Sequence, residues 1–210
     1  MQWKRMPLGP LQTNAYILTN ESKEALIIDP GEEPQAIFQY IEECGAQPLA
    51  ILLTHAHFDH IGALETVRTK YTIPVYLHEN EADWLSNPDK NGSAHFPMVS
   101  ACHCQPAERI IIGEQQALVI GGFEFTIFET PGHSPGSVSF YFPDDHVIFS
   151  GDVLFKGSVG RTDLYGGDQL TLFESIENKL LPLPEKTRVA PGHGFETTIG
   201  EEQAMNPFLT

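Results

Sequence analysis

Residues 54–60 read Thr54-His55-Ala56-His57-Phe58-Asp59-His60. Four potential metal ligands fall within six positions, directly after the apolar run at residues 49–53. With nine histidines and nine aspartates in 210 residues, a His-x-His-x-Asp-His start arises by chance about three times in a million per position. Imidazole and carboxylate are costly to bury unless something pairs with them, and a cation does. The alternative is a solvated polar loop, but four such side chains in one place serve little purpose in packing.

Working outward, three more polar residues follow β-rich runs. His133 comes after residues 123–128, in Thr130-Pro-Gly-His-Ser134. Asp152 comes after residues 146–149, in Ser150-Gly-Asp152, and His193 after residues 188–190, in Pro191-Gly-His-Gly194. A glycine precedes each one, which permits a tight backbone at the strand end. In layered α/β folds, ligands are presented by loops at the carboxyl ends of strands.

Five histidines and two aspartates exceed what one tetrahedral zinc takes. They suit two cations. His55, His57 and His133 would hold one, Asp59, His60 and His193 the other, and Asp152 would bridge. Such a pair keeps residual positive charge, which holds a hydroxide at neutral pH and attracts a developing oxyanion. Asp59 then orients the hydroxide and is the expected catalytic residue. Imidazole and carboxylate suit zinc, iron and manganese alike; zinc is the expected ion, with iron or manganese as alternatives.

The ordered set His-x-His-x-Asp-His, His133, Asp152 and His193 resembles the metallo-β-lactamase superfamily over nearly the whole chain. That resemblance implies an α/β fold, a four-layer αβ/βα sandwich, as one domain over residues 1–210. Asp152 as the bridge is similar to the glyoxalase II-like branch. It differs from two-zinc β-lactamases, which place a cysteine ligand there. The implied activity is hydrolysis of a thioester between a hydroxy acid and a small thiol. Glyoxalase II enzymes of two domains grip glutathione with a helical tail, whereas 210 − 193 = 17 residues follow His193 here. The segment Gly160-Arg-Thr-Asp163 is similar both to short hydrolases of that branch and to mononuclear iron persulfide dioxygenases. A dioxygenase, or a lactonase or ester hydrolase on the same site, is therefore the alternative.

Other residues admit two readings. Asp29 either accepts a bond from a metal-bound imidazole or starts the Pro-Gly turn that follows it. Arg161 either orients an anionic substrate or pairs with Asp163. Cys102-His-Cys104 lacks a second pair and makes a poor zinc cage. His78, His95, His103 and His146 read as surface or loop residues. Trp84, Phe96 and Met98 flank an irregular stretch at residues 87–106 and would either wall a channel or join the core.

Composition sets the outer bounds. The balance of 12 basic and 28 acidic residues gives −16 and argues against nucleic acid or an anionic membrane as partner. Three cysteines cannot build a disulfide framework, and no apolar run has membrane-spanning length. The expectation is a cytoplasmic enzyme acting on a small acyl thioester.

Periodicity places strands at residues 14–19, 25–28, 49–53 and 74–77, then at 123–128, 137–142, 146–149 and 188–190. Helices are expected at residues 34–44, 62–70 and 79–85, and from Asp168 to about residue 181.

Overall fold

Trp3 and Arg5 precede the first strand expected from periodicity, yet the chain is already extended there. In the computed structural model, which describes residues 1–97 and 99–209, β1 (Gln2–Leu8) pairs antiparallel with β2 (Thr13–Thr19). Pro7 and the basic pair Lys4-Arg5 mask the strand in sequence. An edge position tolerates both, since its outer backbone groups meet solvent. Met98 lies outside the described residues.

Two compact units divide the described chain: Met1–Ile112 with Val119–Phe123, and the remainder. In the first, the sheet runs in chain order. After β2 come β3 (Glu24–Ile28), α1 (Pro34–Cys44) and β4 (Gln47–Leu52). Then follow α2 (Phe58–Ile61), α3 (Leu64–Tyr71), β5 (Val75–His78) and β6 (Arg109–Ile111). Strands β3 to β6 are parallel, with α1 crossing from β3 to β4 and α2–α3 from β4 to β5. Pro34 opens α1, and Gly45 closes it in the left-handed region that glycine enters without penalty. Ile37 and Ile41 on α1, and Leu64 and Val67 on α3, pack with Ile17, Ile27, Ile51 and Val75 in one apolar cluster.

The helix expected at residues 62–70 is α3, and a further single-turn helix, α2, precedes it, with Gly62 between the two. A Cβ there would overlap the Gly31 carbonyl oxygen, so the close approach of α2 to the 29–31 turn requires glycine. The helix expected at 79–85 is two single 3₁₀ turns, Glu79–Glu81 and Trp84–Ser86. The irregular stretch after it contains one more, Ser93–His95.

The second unit carries most of β7 (Gln115–Ile120) and of β8 (Phe123–Glu129), with β9 (Val138–Phe142) and β10 (Val147–Gly151). A small hairpin, β11 (Leu154–Phe155) and β12 (Ser158–Val159), precedes α4 (Gln169–Ser175). Then come β13 (Arg188–Pro191), β14 (Thr197–Thr198) and α5 (Ile199–Met205). The larger sheet has the order β14-β13-β10-β9-β8-β7, with β10 and β13 parallel. Asp168 caps α4 through a bond from Thr171 N, as expected, and the helix continues as a π turn over Ile176–Leu180. Leu172, Ile176 and Leu180 pack with Ile148, Val189 and Ile199. No helix among the described residues is long and apolar enough to cross a membrane.

Candidate metal centre

In the first unit, β4 ends at Leu52 and the chain turns through residues 53–57 into α2, which carries Asp59 and His60. The His55 ring lies 4.8 Å from the His57 ring and 4.1 Å from the His60 ring, centroid to centroid. All three rings are buried. Asp59 joins them, its Oδ2 lying 3.6 Å from His60 Nε2. Thr13, at the start of β2, donates its hydroxyl to that same Oδ2 at 2.7 Å.

Asp29 organises this half. Its Oδ1 accepts from Thr54 N at 2.8 Å, and its Oδ2 accepts from Thr54 Oγ1 at 2.6 Å. Oδ2 also meets His60 Nδ1 at 3.0 Å. A carboxylate only accepts, so the His60 proton belongs on Nδ1 and the lone pair on Nε2. Thr54 Oγ1 directs its one proton into the bond it donates to Asp29, so it accepts from His55 Nδ1, 3.0 Å away. His55 thereby takes the same tautomer. This is the arrangement of a ligating imidazole held by its other nitrogen.

The second unit repeats the logic. His133 follows β8, Asp152 follows β10 and His193 follows β13. His133 Nδ1 donates to the Arg161 carbonyl at 2.7 Å, which leaves the lone pair on Nε2. Asp152 Oδ2 lies 3.7 Å from His133 Nε2 and 3.5 Å from His193 Nε2. These separations exceed a hydrogen bond. They match the edge of a ligand tetrahedron, about 3.4 Å for metal–ligand bonds of 2.0–2.1 Å. The 3.6 Å edge between Asp59 and His60 fits equally well. On donor chemistry, tautomer and spacing, these side chains suit divalent cations.

The carboxyl ends of β8, β10 and β13 thus bring His133, Asp152 and His193 together, as the sequence implied. Asp29 does contact an imidazole of the motif, and it does so from a left-handed backbone at φ 47°. Arg161 grips Asp163 with two bonds, Nε to Oδ1 at 2.7 Å and Nη2 to Oδ2 at 2.8 Å. That pairing holds the Asp163 carboxyl down at about 2. The backbone of Arg161, rather than its guanidinium, reaches a motif histidine. Cys102 and Cys104 lie 3.9 Å apart at sulfur, while His103 turns to the Ser86 carbonyl, so this triplet does not close around a cation.

His78 corrects the expectation of a surface residue. It ends β5, is buried, and its Nδ1 accepts from Asn80 N. Sequence reasoning also missed Thr13 and Glu81. Glu81 is fully buried and accepts from Ala56 N at 2.6 Å, fixing the backbone between His55 and His57. Both act across at least 25 residues and leave no local spacing signal. Trp84 is core and stands 5.7 Å from the His57 ring, whereas Phe96 packs on Phe58 at 4.9 Å.

Comparisons with known proteins agree with this reading. Residues 8–193 match the family model described as the metallo-beta-lactamase superfamily. A Bacillus subtilis protein named probable metallo-hydrolase YqgX is 55% identical over 100% of this chain and 98% of its own. A Haemophilus influenzae protein named hydroxyacylglutathione hydrolase GloC is 38% identical, over 97% and 96% respectively. Among solved structures, one titled BLEG-1 B3 metallo-beta-lactamase has TM-score 0.97 and 54% identity, covering 100% of both chains. Another, titled TTHA1623 in a di-iron-bound form, has TM-score 0.87 and 42% identity, covering 98% of this chain and all of its own. The expected fold class is therefore correct.

Proposed function

The chain belongs to the metallo-beta-lactamase superfamily, and from that premise we propose that this metallo-hydrolase cleaves acyl thioesters, those of hydroxy acids with a small thiol. The observation that carries the proposal is the fixed tautomer of His55, His60 and His133, each anchored at Nδ1 so that Nε2 offers a lone pair.

In this reading His55, His57 and His133 would hold one divalent cation, Asp59, His60 and His193 would hold a second, and Asp152 would serve both. When bound, such a pair supplies Lewis acidity and lowers the pKa of a water toward neutrality. Asp59 has one oxygen fixed by Thr13, and its carboxylate orients the attacking water toward the carbonyl carbon. Asp29 and the Arg161 carbonyl keep the imidazoles from rotating as charge develops. A thiol with a pKa of about 8.5 leaves as thiolate with little help, so no separate acid residue is required.

The relative named hydroxyacylglutathione hydrolase supports the thioester assignment. The di-iron-bound form of TTHA1623 supports two ions and makes iron the main alternative to zinc. Chelator-treated protein should lose thioester turnover and regain it with zinc. Apo protein turning over at the holo rate would overturn the reading. Oxygen uptake on a persulfide would replace it with a dioxygenase.

One observation favours a second reading, β-lactam hydrolysis. The resemblance set the chain apart from β-lactamases at Asp152, yet the 54% identical structure carries that name. A chromogenic cephalosporin, assayed beside the thioester, decides which bond is cleaved faster.

A further inference from the structure

A cavity of about 370 Å³ opens against Asp59 within the first unit. That is the lower end of the range for small-molecule sites, enough for one arm of a substrate rather than a whole cofactor. Leu8, Pro10 and Leu11 wall it from the β1–β2 turn, and Phe58 and Phe96 from the other side. Its polar residues are Thr13, Glu32 and Asp59, and neither lysine, arginine nor histidine is among the described residues that line it.

The turn is built to hold its apolar tip in place. Gly9 N donates to Glu33 Oε1 at 2.8 Å. Gln12 closes the turn with two bonds to the Gly9 carbonyl, 3.1 Å from its backbone N and 2.7 Å from Nε2. Leu11 nevertheless stays 45% exposed. An exposed leucine on a stapled turn, over an apolar cavity floored by a candidate catalytic carboxylate, gains burial once the cavity fills.

We infer that this cavity takes an uncharged apolar arm of the substrate next to the scissile bond, so the enzyme selects thioesters with an alkyl or aryl arm over those with an anionic one. The inference rests on the thioester reading for its chemistry, and it narrows the substrate class. With Asp59 engaged by its cation, a carboxylate carried out into the cavity would leave water for apolar walls and face Glu32, with no lysine, arginine or histidine among the described lining residues to pair with it. The carboxylate-bearing ends of a thiol such as glutathione are therefore placed elsewhere.

The test uses two thioester series on the metal-loaded enzyme. One lengthens the acyl chain from acetyl to hexanoyl on a fixed thiol. The other lengthens the alkyl thiol on a fixed acetyl group. In the series whose arm enters the cavity, kcat/KM should rise by up to about fourfold per methylene. It should fall when a terminal carboxylate is added at equal length. In Leu11→Asp and Phe96→Ser, the hexyl-over-ethyl or hexanoyl-over-acetyl preference should shrink at least tenfold. Flat or falling rates in both series, or a preference unchanged in both variants, overturns the inference.

Calorimetric titration with 1-hexanol, which has no scissile bond, separates the two claims. Hexanol binding that Leu11→Asp abolishes, with no thioester turned over, keeps the cavity and removes the thioester reading. Thioester turnover without size preference, and without hexanol binding, does the reverse.

Discussion

Asp29 shows how much one side chain settles. Its carboxylate receives Thr54 twice and His60 once, and through Thr54 it also sets the tautomer of His55. In Asp29→Asn the amide nitrogen can donate but not accept, so one of these bonds is lost or His60 changes tautomer. Metal affinity should fall about 10- to 100-fold, read by competition with a chelator, while excess metal restores much of the activity. An unchanged affinity would make Asp29 a turn residue only. At Asp163, the bond from Arg161 lowers the carboxyl pKa from 3.8 to about 2. A depressed carboxyl stabilises the fold above its unfolded pKa, and that contribution is lost as pH falls through about 2. The carboxyl resonance of Asp163 should titrate near 2, and in Arg161→Ala it should return toward 3.8. The ligands were legible as residues because imidazole and carboxylate at close spacing carry their own chemistry. Thr13 and Glu81 were not, because a hydroxyl or a glutamate gains meaning only from what the fold brings beside it.

Strands with strong apolar alternation were readable almost to the residue, as was α1 with its proline start and glycine stop. The elements that escaped are short or lie at sheet margins. β6, β11, β12 and β14 span two or three residues, too few for any period to register. β1 and β7 owe their extension to a neighbouring strand more than to their own pattern, as their almost wholly exposed or half-buried side chains indicate. Tertiary pairing outweighs propensity in such segments. Close approaches between elements were also invisible in sequence. A Cβ at Gly160 would overlap the Asp152 carbonyl oxygen, so the β12 end must be glycine to lie beside the strand ends. Gly160→Ala should cost about 1–3 kcal/mol in denaturant unfolding and lower metal content as well. Gly157→Ala offers the contrast. A new Cβ there meets nothing within 4 Å, and only the strain of its positive φ remains.

For the molecule as a whole, a net charge of −16 repels anions at long range, so an anionic substrate depends on local positive charge near the scissile bond. Bound cations supply that, and they also link folding to metal supply. With free metal at 100 times its dissociation constant, each site that needs the folded chain adds about 2.7 kcal/mol of stability. The melting temperature should therefore climb with added zinc and fall with chelator, and Asp152→Ala should blunt both shifts. The most direct measurement is the number of divalent cations held per chain, by elemental analysis after exhaustive dialysis, in the intact protein and in Asp152→Ala. Two per chain, falling in the variant, is the expected result. An intact chain that retains none when supplied with zinc, iron or manganese, or a variant that keeps its full complement, would contradict the account.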